Sequence, residues 1–239
     1  MYKPRTYRRW VRNDGLVLFE VVEKETDLFI SATKDLESQA IRSIRSLRRE
    51  IEEYVKGNPA FLTSLDPLQA REGAPAIVTM MCEACIKAGV GPMASVAGAM
   101  AELVGRDLSK SSEEVIVENG GDIFMITHSA RAMGIYAGEI SPFTGKLAIE
   151  IPASVEGIGV CTSSGTVSHS LSFGNADVAL IMADDAATAD AAATATGNIV
   201  KTAADIERGL AFAKSIDGVR GVVILLGKKM GSWGSIKFA

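Results

Sequence analysis

The chain has 239 residues, 47% hydrophobic and 23% charged, with a formal net charge of −4, which is an ordinary globular composition able to bury a core. The acidic balance gives no basic footprint for nucleic acid, and no apolar run approaches the ~18 residues of a membrane span. Aromatics are scarce at 6% while Ala and Gly abound, so the core is expected to rest on close backbone packing rather than on large rings.

The N-terminal "KPRTYRRWVR" carries positive charge without a following apolar stretch or a small-residue cleavage site, so a signal peptide is not expected. Three cysteines are an odd count and too few for a disulfide framework, which makes the cytoplasm the expected location. Residues 16–22 ("LVLFEVV") and 27–32 ("DLFISA") read as two strands joined by the charged turn "EKET". Residues 34–57 read as a long helix, because Leu36, Ala40, Ile44, Leu47, Ile51 and Tyr54 recur at spacings of three and four. Thr33 or Asp35 can cap its start and Gly57 its end. The Pro-bearing stretch 58–75 reads as a surface connection.

Residues 76–89 and 91–105 read as two further helices, with Pro92 suited to the first turn of the second. Ala94, Ala97, Gly98 and Ala101 would let another element, or a ligand, approach the backbone closely. From about residue 115 strands dominate: "EVIVE", "DIFMIT", "RAMGIYAGEI", "KLAIEIP" and "GIGVCT", separated by the turn signals "NGG", "HSA", "SPFTG" and "SVEG". The strand "ADVALIMA", the Ala-rich 184–198, a helix over 203–216 and a final hairpin complete the chain. The order lacks a regular βα alternation, which predicts an α+β fold with mostly antiparallel pairing, packed helices and one domain over 1–239.

Four groups of residues could carry chemistry. In "VENGGDIF" the glycines make either a plain hairpin or a close approach that exposes Asn119 and Asp122 to a ligand. Asp190 and Thr194 fall on one helical face as hard oxygen donors for Mg²⁺ or Ca²⁺, or else sit as tolerated residues of an Ala-rich helix. Cys82 and Cys85 form a CxxC without further ligands, which fits small buried residues better than zinc or redox chemistry. "CTSSGTVSHSLSFG" (161–174) places hydroxyls and His169 in a glycine-bounded loop, whereas His128 has no such surroundings. There is no P-loop and no dinucleotide-type glycine fingerprint.

Taken in order, "GPMASVAG", "VENGGDI", "TSSGTVSHSLSFG" and "ADAAATATGN" resemble the ApbE-like superfamily, most nearly its small cytoplasmic branch, over about residue 15 to the end. The resemblance implies a T-fold-like architecture. It also implies binding of FAD, use of Mg²⁺ and, in the better-known members, transfer of FMN to a threonine of a target protein. It places Asp190 and Thr194 as metal ligands, with a backbone carbonyl near Pro92 and Met93, and Asn119, Gly120, Gly121 and Asp122 along the flavin site. Met93, Ser95, Ser163, Gly165, Thr166, Ser168 and Ser170 complete the expected binding wall, and His169 and Ser164 are the catalytic candidates. Two departures speak against full FMN transfer. The family's lysine position holds Ser95, and an insertion with a His and an Asp-Pro turn is reduced to "TVSHSLSFG".

The expected function is therefore an enzyme for an anionic small molecule, a flavin nucleotide or a phosphorylated or carboxylated metabolite. A sulfur-assimilation role in homocysteine formation from aspartate semialdehyde, with Cys161 as a candidate participant, and a non-catalytic flavin or nucleotide binder are the alternatives. A homodimer is the expected assembly.

Overall fold

The structure, a computed structural model, describes residues 15–139, 141–165 and 173–239. Eleven strands are seen among them: β1 (Val17–Glu23), β2 (Thr26–Ala32), β3 (Val115–Asn119), β4 (Asp122–Thr127), β5 (Arg131–Gly134), β6 (Ala148–Ile151), β7 (Ser154–Ser163), β8 (Val178–Ala183), β9 (Val219–Leu226), β10 (Lys229–Gly234) and β11 (Lys237–Phe238). Six helices accompany them: α1 (Glu37–Gly57), α2 (Ala60–Thr63), α3 (Ala76–Ala88), α4 (Val96–Ser109), α5 (Ala186–Ile199) and α6 (Ile206–Lys214). Eight strands form one sheet in the order β1-β2-β3-β4-β7-β8-β9-β10, and β11-β6-β5 form a second. Every strand pair is antiparallel, as an α+β reading requires.

Strand alternation divides the core in two. Val115, Val117, Phe124, Ile126, Cys161, Ile181 and Ala183 face the helices, in a cluster with Ile77, Met81, Val104 and the alanines of α5. Ile116, Ile123, Met125, Val160, Leu180 and Met182 face the other way, onto Met133, Ile149 and Ile151 of the small sheet. The large sheet is thus sandwiched between a helical layer and the three-stranded sheet.

Small residues bring the helices close, which is where the abundance of Ala and Gly is used. A Cβ on Gly98 of α4 would lie 2.2 Å from the Ala186 carbonyl oxygen of α5, and one on Gly159 of β7 would lie 2.4 Å from Ala186 Cα. The start of α5 is fixed by two carboxylates that satisfy its first free N–H groups. Asp185 caps it by accepting from the Thr188 N–H at 2.6 Å, and the buried Glu102 of α4 accepts from the Ala186 N–H at 2.7 Å. Burial pushes the Glu102 carboxyl up, while Arg106, 2.7 Å away, and the Ala186 N–H pull it back.

Several expectations change. The 58–75 connection contains α2, whose Phe61 is buried edge-on against Tyr54 of α1. Only residues 131–134 of "RAMGIYAGEI" pair as a strand. "SVEG" is not a turn but the start of β7: Gly157 sits at φ +100°, and the β4–β7 register shifts between Met125 and Thr127, as at a β-bulge. The final hairpin is β9–β10, and the chain then crosses to the second sheet as β11. Pro92–Ser95 is a 3-10 turn that bends the chain before α4 starts. Among the described residues no single helix is long and apolar enough to cross a membrane.

Candidate functional site

Polar residues gather at one end of the central strands, under the start of α4 and the middle of α5. The β3–β4 hairpin turns through Gly120 and Gly121, both at positive φ (69° and 109°), with Asn119 paired to Asp122 across it. The turn is braced twice. The Gly121 N–H donates to Glu118 Oε1 at 2.8 Å, and the Thr162 hydroxyl donates to the Gly121 carbonyl at 3.1 Å. Asn119 reaches up to the helix layer, donating from Nδ2 to the Ala97 carbonyl at 3.1 Å. The hairpin reading holds for this segment: the turn is tight, and the flanking Asn119 side chain faces the helices.

Asp122 lies on the same face as Phe124 and Ile126, which point into the helix-side core. The Ile123–Val160 register, continued by one residue, sets Asp122 opposite Cys161. The Thr162 N–H donates to Asp122 Oδ1 at 3.3 Å. The Cys161 thiol donates toward the Ala186 carbonyl at 3.4 Å. One turn further along α5, Asp190 Oδ2 accepts from the Gly98 N–H at 2.9 Å. Asp122 is 8% exposed and Asp190 9% exposed, and among the described residues neither has a basic partner.

Electrostatics follow from that burial. Desolvation pushes Asp190 up to about 7, against the N–H groups of Gly98 and Ala97 that favour its charge. Asp122 is driven well above the usual carboxylate range, first by burial and then by the Asp190 charge. Cys161 is raised for the same reasons, burial first, then both aspartates, and it packs in the helix-side core. Cys85 is likewise pushed up to about 12 by burial, and with Cys82 it is packed in the core.

Of the expected binding wall, Asn119, Asp122, Ser163, Asp190 and Thr194 come together at this end of the fold. Ser163, 6% exposed, closes the end of β7, and its Oγ would lie 3.5 Å from a Cβ on Gly197 of α5. Thr194 is half-buried one turn after Asp190. Ser164 is half-buried and Gly165 exposed beyond it. Backbones meet here without side chains between them. A Cβ on Gly165 would lie 2.2 Å from the Gly174 carbonyl oxygen, and one on Gly174 would lie 1.7 Å from that of Gly197. His169, Thr166, Ser168 and Ser170 lie outside the described residues.

Ser95 does not join the wall. It is fully buried, donates toward the Met81 and Pro92 carbonyls at 3.3 and 3.0 Å, and lies 3.4 Å from the Cys85 thiol. Its hydroxyl is thus used in holding the 3-10 turn to α3. Met93 packs partly buried against the helix-side core, and the Pro92 and Met93 carbonyls already serve the turn, accepting from Ser95 Oγ and the Val96 N–H. The backbone that meets the site is that of Ala97 and Gly98, one turn on. The small residues of "ASVAG" were the only sequence signal for it.

A hard cation fits this donor set. Among the described residues no three His, Cys, Asp or Glu side chains form a metal cage. Two buried carboxylates without a basic partner nonetheless call for compensating positive charge or a retained proton. The remaining positions of such an ion would be filled by hydroxyl, carbonyl or water oxygens, which is how Mg²⁺ is commonly held.

Residues 8–223 match the family described as AbpE bacteria. The chain belongs to that family. It is similar to the UPF0280 protein of Methanocella arvoryzae, 40% identical over 214 residues that cover 89% of this chain and 86% of that protein. It is similar as well to the UPF0280 protein of Methanopyrus kandleri, 40% identical with 88% of each chain covered. Among solved structures, the ApbE protein of Thermotoga maritima superposes with a TM-score of 0.63 at 12% identity, over 90% of this chain and 96% of that one. The flavinyl transferase ApbE of Pseudomonas stutzeri, in its apo form, gives 0.61 at 11% identity, over 91% and 93%. At those identities the likeness establishes a shared ApbE fold.

Proposed function

We propose that the chain binds an anionic small molecule, a flavin nucleotide such as FAD, with a divalent cation at Asp190 and Thr194. The observation that carries this reading is the pair of buried carboxylates, Asp122 and Asp190, set among backbone N–H groups with no basic partner among the described residues. A bound Mg²⁺ would supply charge neutralisation for a pyrophosphate and stabilise a leaving nucleotide. Asp190 is held in one orientation by the Gly98 N–H, and Asn119 ties the hairpin to the start of α4. Ser163 and Ser164 bring hydroxyls to the same end of β7, where they can hydrogen-bond phosphate oxygens. The half-buried rim of Asn119, Gly121, Thr162, Ser164 and Thr194 is the wall such a ligand would face.

The structural neighbours that are flavin transferases motivate the ligand class, and transfer of FMN to a protein is the activity to test first. One observation favours a second reading, a flavin or nucleotide binder without transfer. Ser95 stands sealed in the core where the resemblance places a lysine, so that position offers no cation to a phosphate. Cys161 is buried in the helix-side core, so sulfur chemistry finds no exposed thiol there. Incubation with FAD and Mg²⁺, followed by chromatography, decides between the two. Release of AMP with FMN retained on a protein acceptor supports transfer, intact FAD bound stoichiometrically supports the binder, and neither binding nor turnover rejects both.

A further inference from the structure

The aspartate of the β3–β4 hairpin has a second role within this site. Resting on the cation reading above, we infer that Asp122 is the second carboxylate of the cation site, so that one divalent ion links β4 of the sheet to α5 of the helical layer. The arguments are geometric. Asp122 is on the helix-facing side of β4, in line with Phe124 and Ile126, and is therefore aimed at α5 rather than at a ligand lying outside the hairpin. The β4–β7 register sets Asp122 opposite Cys161, whose thiol lies 3.4 Å from the Ala186 carbonyl, which places Asp122 beneath the turn of α5 that leads to Asp190.

Both carboxylates are more than nine-tenths buried, and each keeps acceptor positions beyond the N–H it accepts from Thr162 or Gly98. Two buried carboxylates with no basic partner among the described residues repel, and a single hard cation between them turns that repulsion into attraction. Oxygen donors select Mg²⁺ or Mn²⁺ over soft ions.

The test is a melting titration of the full chain, stripped with chelator, against Mg²⁺ and Mn²⁺. The unaltered protein is expected to gain several degrees at saturation. Asp122→Asn keeps the side-chain shape and can still accept from the Thr162 N–H. It is expected to melt at or above the unaltered protein without metal, and to need at least tenfold more cation for half its response. An Asp122→Asn midpoint equal to that of the unaltered protein, with Asp190→Asn abolishing the response, overturns the inference and leaves the cation reading standing. No response in the unaltered protein removes the cation reading and the inference with it. Asp122→Ser, smaller and uncharged, gives the same comparison if the asparagine variant does not melt cooperatively.

Discussion

Gly98→Ala should reverse the usual effect of alanine in a helix. Replacing a helical glycine by alanine ordinarily stabilises by about 0.5–1 kcal/mol, because the unfolded chain loses freedom. At Gly98 the new methyl would lie 2.2 Å from the Ala186 carbonyl oxygen, and 2.8 Å from both the Ala186 carbonyl carbon and Asp190 Cβ. None of these atoms can rotate away, so α4 and α5 must separate, and overpacking of that kind costs roughly 1–3 kcal/mol or more. The clash outweighs the propensity gain, and a net loss of about 2 kcal/mol corresponds to ~4–8 °C in a chain of this size. Gly209→Ala in α6 is the internal control. Its methyl meets only side-chain ends, Ile224 Cδ1 at 2.8 Å and Val200 Cγ2 at 2.9 Å, which can shift, so the net change should stay within about 0.5 kcal/mol. Thermal and urea unfolding followed by circular dichroism measure both variants. A Gly98→Ala protein as stable as the parent, or less affected than Gly209→Ala, refutes the close α4–α5 packing on which the site is built.

Three further outcomes follow from the same geometry. In chelator, stability should fall as pH rises from 5 to 8. The folded Asp190 carboxyl holds its proton to about 7 against 3.8 unfolded, and linkage then removes about 3 kcal/mol over that range. The carboxylates held low (Glu25 by a backbone hydrogen bond and Arg48, Glu52 by Lys24, Asp205 by Thr202) act at lower pH and do not oppose it. Denaturant curves at pH 5 and 8 check this, and Asp190→Asn should weaken the trend, leaving what the buried Asp122 and Glu102 contribute in the same sense; a parent protein more stable at pH 8 than at pH 5 contradicts the assigned sign. Glu102→Ala leaves the Ala186 N–H without its acceptor and Arg106 without its carboxylate, so a loss of about 3 kcal/mol is expected by urea unfolding. Asn119→Ala removes the side-chain hydrogen bond that ties the hairpin to α4 and should cost about 1 kcal/mol, with faster amide exchange at Gly120 and Gly121.

Much of the fold was legible because its signals are local. The three- and four-residue spacing of Ala40, Ile44 and Leu47 marks α1, and the alternation around "ENGGDI" marks the β3–β4 hairpin with its two-residue turn. Non-local facts were not legible. Gly157 reads as a turn residue by composition, yet pairing with β4 makes it a bulge inside β7. Ser95 reads as a wall residue beside Met93, yet the 3-10 turn rotates it toward Met81 and Cys85. Asp122 and Asp190 are 68 positions apart, and only the β4–β7 register together with the Gly98–α5 approach brings both into one pocket. The ordered motifs "ENGGDI" and "ADAAATATGN" pointed to Asp122 and Asp190 separately, but not to the burial of both aspartates at the same end of the fold.

The measurement that bears most directly on the account is a calorimetric titration of FAD into the unaltered protein and into Asp190→Asn, each with Mg²⁺ and with chelator. Saturable binding near one FAD per chain, strengthened by Mg²⁺ in the unaltered protein and insensitive to Mg²⁺ in Asp190→Asn, is the result predicted. Absence of binding in every condition, or binding that ignores both Mg²⁺ and the Asp190 substitution, contradicts it.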